Sequence, residues 1–140
     1  QDTSGAAAIG HGYTYSGHPV GAAAAIACMN ETRRLKVNEN AAIRGAELHT
    51  GLLSLQEKHE VIGDVRGGHG LMLALELVAD RATKKPIDKG IIAKIQEVTY
   101  QSGAMVRVSG PNIIFSPPLI LASADVTTIL SALDEGLSCV

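Results

Sequence analysis

Residues 11–20 read His11-Gly12-Tyr13-Thr14-Tyr15-Ser16-Gly17-His18-Pro19-Val20. They set hydroxyl groups on a glycine-bounded turn that runs straight into a helix start. Proline suits the first helical turn, where its missing N–H is not needed. A helix N-terminus offers free N–H groups and the positive end of the helix dipole. The chemistry expected of this turn is the holding of an anion. His11 and His18 stand seven residues apart, but no cysteine or carboxylate is placed to complete a metal set, so no metal is expected. The stretch Gly67-Gly68-His69-Gly70 fails the G-x-G-x-x-G spacing of a dinucleotide fingerprint. His69 is therefore expected to be a loop residue.

The elements that must carry these residues follow from periodicity. Residues 1–10 are small and form no useful helix or strand. A helix is expected from Pro19 to about Asn30, with Gly21, Ala22, Ala23, Ala24 and Ala25 leaving room for another element to come close. A long helix is expected over 32–59. Its apolar stripe is Ala41, Gly45, Leu48, Leu52 and Leu55, with Gly51 at a close crossing and Glu39, Glu47, Glu57 and Lys58 on the wet side. From Val61 the period changes. Leu71, Leu73, Leu75 and Leu77 alternate with Met72, Ala74, Glu76 and Val78, which is a strand with one richer face. Glu76 then faces solvent or a polar neighbour.

A helix is expected over 87–100, with Ile91, Ile95 and Val98 on its apolar side, closed by Gly103. Short strands over 104–107 and 112–115 flank a glycine turn, and Pro117-Pro118 ends the second. Ser123 caps the last helix, whose buried side is Val126, Ile129, Leu133 and Leu137. The fold class is α/β, in the form of an α+β small domain with helices on one sheet face.

Composition narrows the function. The chain has 140 residues, 46% of them hydrophobic and 19% charged, enough for one domain with an extra element. A net charge of -2, with basic residues scattered, excludes a nucleic-acid or anionic-membrane binder on electrostatic grounds. No segment reaches the ~20 apolar residues of a membrane span, and no leader-like segment opens the chain. Cys28 and Cys139 form no motif and read as reduced, Cys28 in the core and Cys139 near the surface. The location expected is cytoplasmic.

The segment His11 to Val20 closely resembles a signature of the class III (omega) aminotransferases, enzymes that use pyridoxal phosphate (PLP). The later V-R-G-G-H-G-L-M-L-A-L-E-L-V and M-V-R-V-S-G-P-N-I-I-F-S-P-P-L-I resemble the C-terminal domain of the same family, in the same order. The resemblance runs from about Gly10 to the end. It implies the C-terminal domain of the fold-type I PLP-dependent transferases plus the last helix of the large domain. The divisions are then 1–31 (end of the large domain), 32–59 (connecting helix) and 60–140 (small domain).

The resemblance also assigns roles. Thr14 matches a threonine that reaches the cofactor phosphate of a neighbouring subunit; the alternative, which the residues by themselves favour, is a threonine satisfying its own turn. Tyr13 stands where the family often has an aromatic lining the partner's cofactor pocket, with interface packing as the equal alternative. Ser16 is a weaker phosphate ligand whose other role is to cap the helix at Pro19. Tyr15 and His18 are open, His18 reading as structural. Arg107 matches an arginine that binds the substrate carboxylate and swings out for apolar amines; the alternatives are a salt bridge to Glu76 or Asp64, or a solvated loop position. Arg66 ties the small domain's turn to backbone carbonyls. The glycine stretch after it is one residue longer than the commoner Arg-Gly-X-Gly form.

In this family a lysine carries the cofactor, a few dozen residues before the G-Y-T-Y-S-G-H-P turn. Lys36, Lys58, Lys84, Lys85, Lys89 and Lys94 lie in other contexts, so no catalytic residue is expected in these 140 residues. The implied activity is transfer of an amino group from an amine or omega-amino acid to a keto acid such as pyruvate. It requires PLP and a large-domain polypeptide or neighbouring subunit, in a homodimer or higher assembly. Aminomutase-like, ornithine or diaminopelargonate specificities stay open. The alternatives are a non-catalytic binding or oligomerisation module, and one part of a cleaved enzyme.

Overall fold

The computed structural model describes residues 11–140, so the reading of residues 1–10 lies outside the described residues. The chain divides into two units, Gln1–Leu35 and Lys36–Val140.

The first unit contains a turn over 14–17 followed by helix α1, Pro19–Arg34. Pro19 starts the helix as expected, but α1 runs four residues past Asn30. The extension has a local cause. Glu31 pairs with Arg34 three residues on, through Arg34 Nε at 2.8 Å and Nη2 at 2.5 Å, and Arg33 and Arg34 suit the negative end of the helix. None of the helix is buried within the chain, and Cys28, expected in a core, is exposed.

Between the helices the backbone turns left-handed at Lys36, with φ of 49°. The long helix expected over 32–59 is therefore shorter, and its first residues belong to α1. Helix α2 is Val37–Lys58, and its buried residues are Val37, Ala41, Gly45, Leu48, Leu52 and Leu55, the expected stripe with one residue added. Both glycines of α2 sit at close approaches. A Cβ on Gly45 would lie 2.2 Å from the Gly70 carbonyl oxygen, and one on Gly51 would lie 2.2 Å from Leu130 Cδ1.

The sheet of the second unit has five strands, all antiparallel: β1 (Ile62–Gly67), β2 (Leu73–Asp80), β3 (Lys85–Pro86), β4 (Arg107–Ser109) and β5 (Asn112–Phe115). The order is β1-β2-β5-β4, with β3 on the far end of β2. Strand β4 starts where the sequence expectation ended, because its pairing with β5 begins at Arg107 opposite Ile114. Helices α3 (Lys89–Gln101) and α4 (Ser123–Ser138) complete the unit.

The core joins the inner face of the sheet to α2, α3 and α4. Leu73, Leu75, Leu77, Ile113 and Phe115 meet Leu48, Leu52, Ile95, Val126, Leu133 and Leu137. Helix α3 is turned relative to expectation. Ile92, Ile95 and Thr99 are buried, while Ile91 is exposed and Val98 only half-buried. Thr99 can go inside because its hydroxyl donates to the Ile95 carbonyl at 2.8 Å, which leaves its methyl for packing. Its N-terminus is capped by Asp88, which accepts from the Gly90 N–H at 2.7 Å. The start of α4 differs from expectation. Ala122 holds the cap position, its N–H donates to Asp125 at 2.9 Å, and the Ser123 hydroxyl donates instead to Glu47 of α2.

Candidate cofactor and substrate site

The turn of the first unit is knitted by its own groups. The Ser16 N–H donates to the Tyr13 carbonyl at 2.9 Å, and the Tyr13 N–H donates to Ser16 Oγ at 3.0 Å. Ser16 therefore does not cap α1. That position is held by His18, which makes no side-chain cap bond. His18 packs edge-on against Tyr15, with ring centroids 6.1 Å apart, and His11 packs against Tyr13 at 4.9 Å. These contacts hold the two rings outward, Tyr13 at 70% and Tyr15 at 80% exposure. The Thr14 hydroxyl and the N–H groups of Thr14, Tyr15 and Gly17 make no hydrogen bond with a described residue. The turn thus presents neutral donors, all on exposed residues, at a helix N-terminus. That donor set fits the phosphate end of a phosphorylated cofactor, since N–H and hydroxyl groups suit a dianion. The Ser16 oxygen already accepts one bond, which weakens its case as a ligand without removing its O–H.

In the second unit Arg107 opens β4 on the sheet face away from the core. Cross-strand register makes the geometry explicit. Arg66, Ala74, Ile114 and Arg107 form one row across β1, β2, β5 and β4. Asp64, Glu76, Asn112 and Ser109 form the next row. Both rows lie on one face because side chains alternate along a strand. The intervening row, Val65, Leu75, Ile113 and Val108, packs into the core.

Arg107 is exposed, and no described carboxylate lies within ion-pair distance of it. The alternative of a salt bridge to Glu76 or Asp64 is therefore corrected: Arg66 takes both. Its Nη1 lies 2.6 Å from Glu76 and 3.0 Å from Asp64, and its Nη2 donates to Asn112 Oδ1 at 2.6 Å. Arg66 thus ties side chains rather than the backbone carbonyls expected of it. The bond to Glu76, then those to Asp64, hold the guanidinium above its ordinary pKa. The Gly67-Gly68 pair after Arg66 has φ of 106° and 103°, which only glycine adopts freely, and His69 is an exposed loop residue.

Asn112 and Arg81 were not singled out from sequence. Asn112 lay in plain view as the partner of Glu76 once the hairpin was paired, and pairing is what a single strand cannot reveal. Arg81 donates to the carbonyls of Gln56, His59 and Ile62 and so finishes the C-terminal end of α2. Among the described residues no three metal-ligating side chains converge, and no helix is long and apolar enough to cross a membrane.

Comparison with known proteins places this arrangement. The family model for class-III aminotransferases matches residues 3–137. The chain belongs to the class-III aminotransferase family. Among curated class-III relatives, an ethanolamine-phosphate phospho-lyase homolog from Caenorhabditis elegans is 36% identical over 133 residues, which is 93% of this chain and 28% of that protein. A taurine–pyruvate aminotransferase from Bilophila wadsworthia is 34% identical over 91% of this chain and 29% of its own length. Among solved structures, an amine transaminase from an uncultivated Pseudomonas species in its PLP-bound form superposes with a TM-score of 0.84 at 41% identity. It is matched over 94% of this chain and 30% of that one. The fold is thus that of a mixed α/β small domain of the PLP-dependent, fold-type I transaminases, and the chain spans under a third of the length of these relatives.

Proposed function

We propose that these residues are the C-terminal part of a PLP-dependent aminotransferase that moves an amino group from an amine or omega-amino acid to a keto acid such as pyruvate. The observation that carries this reading is Arg107, an exposed guanidinium that keeps no described internal carboxylate. Relatives named as taurine–pyruvate and putrescine–pyruvate aminotransferases support the substrate class.

PLP, when bound, supplies the electron sink for amino-group transfer. The residues of this chain bind and orient. Thr14 donates its hydroxyl to the cofactor phosphate of a neighbouring subunit, helped by the N–H groups of the turn that bond no described residue, and Ser16 adds a second O–H. Tyr13, held outward, lines that pocket. Arg107 grips the substrate carboxylate through its planar fork. It swings aside for an apolar amine because its only neighbours in the row, Ile114 and Ala74, do not hold it. The cofactor-bearing lysine comes from polypeptide outside these residues, so the chain alone does not transaminate. Lys58 is committed to Asp134 and Lys94 to the Cys139 carbonyl. We further propose the division 1–31, 32–59 and 60–140, a homodimer or higher assembly, and a cytoplasmic location.

The test uses the whole protein that contains this chain. Thr14→Val weakens cofactor affinity about tenfold, read by equilibrium dialysis, as expected for a lost hydrogen bond to a charged group. Arg107→Leu raises KM for the keto acid by about ten- to a hundredfold and spares an acceptor without a carboxylate. An unchanged KM for the keto acid removes Arg107 from the site. A second reading, a module that binds another polypeptide without catalysis, is favoured by α1, which buries none of its residues. Absorbance of the whole protein mixed with PLP separates the two: a cofactor band that bleaches with amine supports the aminotransferase, and a spectrum no different from free cofactor supports the non-catalytic module.

A further inference from the structure

Arg66 and Arg107 share the open sheet face with Glu76 and Asp64, and Arg66 holds both acids. Glu76 lies two strands from Arg107, about 10 Å across the sheet at the ordinary strand spacing, and one row along it. That is within the joint reach of a glutamate and an arginine side chain. Nothing but Asn112 and Ile114 stands between them on that face. Left alone, the half-buried Glu76 would be the nearest internal carboxylate on the sheet for the Arg107 guanidinium and would occupy the fork that a substrate must fill.

We propose that Arg66 is a positioning residue for Arg107: it holds Glu76 and Asp64 as its own partners and, through Asn112, fixes the hairpin that carries the substrate-binding guanidinium. This rests on the reading of Arg107 given above.

The second half of the device follows from donor chemistry. A guanidinium can only donate, so Arg66 Nη2 must meet Asn112 Oδ1, at 2.6 Å. The amide is then oriented with its Nδ2 toward the Ser109 carbonyl, to which it donates at 3.3 Å. Ser109 and Asn112 bound the tight turn through Gly110, whose φ is 59°. The Leu77 N–H donates to the Pro111 carbonyl of the same turn at 2.8 Å. Arg107 stands two residues before this clamp. Arg66 therefore acts twice on a residue it does not touch, by removing a rival anion and by fixing the backbone that presents the guanidinium.

The experiment compares Arg66→Gln, Arg66→Lys, the pair Arg66→Gln with Glu76→Gln, and Arg107→Leu in the whole protein. Arg66→Gln is expected to raise KM for a keto acid about three- to tenfold, the scale of an exposed but well-oriented ion pair. The kcat and the KM for an amine without a carboxylate stay within twofold. Adding Glu76→Gln recovers most of the keto-acid KM, the remainder reflecting the lost bond to Asn112, and Arg66→Lys, which keeps the charge but not the fork, falls between the wild type and Arg66→Gln. A merely structural role predicts a further rise for the double variant, which loses one more partner. A double variant with no recovery, or a loss shared equally by all substrates, overturns the proposal. An independent readout is the Nε–H resonance of Arg107 in the 140-residue chain. It shifts and exchanges more slowly in Arg66→Gln and returns in the double variant; an unmoved resonance overturns the sequestration. If Arg107→Leu leaves KM unchanged while the resonance behaves as stated, the reading of Arg107 as the substrate site fails and the ion-pair competition stands.

Discussion

Single residues in this chain work by choosing partners. Asp134 receives Lys58 Nζ at 2.7 and 2.6 Å and the His59 Nε2–H at 2.6 Å, so two side chains at the C-terminal end of α2 converge on one carboxylate of α4. The hydrogen bond from Lys58, then that from His59, hold its pKa below the ordinary carboxylate value. A carboxylate whose folded pKa is depressed adds stability that is present above about pH 4 and is lost as pH falls through the folded value. The group is partly exposed, so the contribution is a few tenths of a kcal/mol to about 1 kcal/mol. The urea midpoint of the wild-type chain is expected to drop between about pH 5 and pH 3, and Asp134→Asn is expected to make that limb shallower. Equal slopes for the two proteins would show that the cluster does not contribute. Asp80, whose pKa is lowered chiefly by the Thr83 hydroxyl, remains in the variant and keeps some of the acid dependence.

The elements meet where side chains are small. Helices α3 and α4 cross at Gly136, where a Cβ would lie 2.2 Å from Thr99 Oγ1 and 2.8 Å from the Ile95 carbonyl oxygen. One obstacle is a side chain and the other is backbone, which decides what a rescue can achieve. Gly136→Ala is expected to cost about 1–3 kcal/mol by overpacking, read as a lower urea midpoint. Thr99→Ala in the same chain removes the nearer atom and recovers part of that loss, not all, because the Ile95 carbonyl stays. Full recovery would place the strain on Thr99 alone. Gly51 of α2 is a milder case, since what it approaches is the flexible end of Leu130.

At the scale of the whole chain, the buried apolar residues among those described run from Val37 to Leu137 and therefore fall in the unit Lys36–Val140. That unit owns its core. A chain beginning at Lys36 is expected to unfold in one cooperative urea transition with the slope of the 140-residue protein, since the slope follows the surface exposed on unfolding. A broad transition would mean that residues 1–35 support the core. In the first unit the described turn and helix α1 bury none of their residues.

Much of this was legible in the order of residues. The stripe of α2, the alternation of Leu71 to Leu77, the buried side of α4 and the hydroxyl turn before Pro19 are local periodicities and local turn chemistry, which a linear sequence carries in full. The strand at Leu73–Asp80 and the α+β class follow from them, and the family resemblance rests on residues that sit in those patterns. The rest depended on distances between segments remote in sequence. Which face of α3 turns inward was decided by packing against α4, which buries Thr99 and leaves Ile91 outside. The partner of Glu76 was decided by register: pairing β1 with β2 sets Arg66 diagonal to Glu76, and pairing β5 with β4 leaves Arg107 beyond an apolar neighbour. Types and periods are properties of neighbours along the chain. Which arginine keeps an acid and which stays free is a property of neighbours in space, and only the folded sheet sets it.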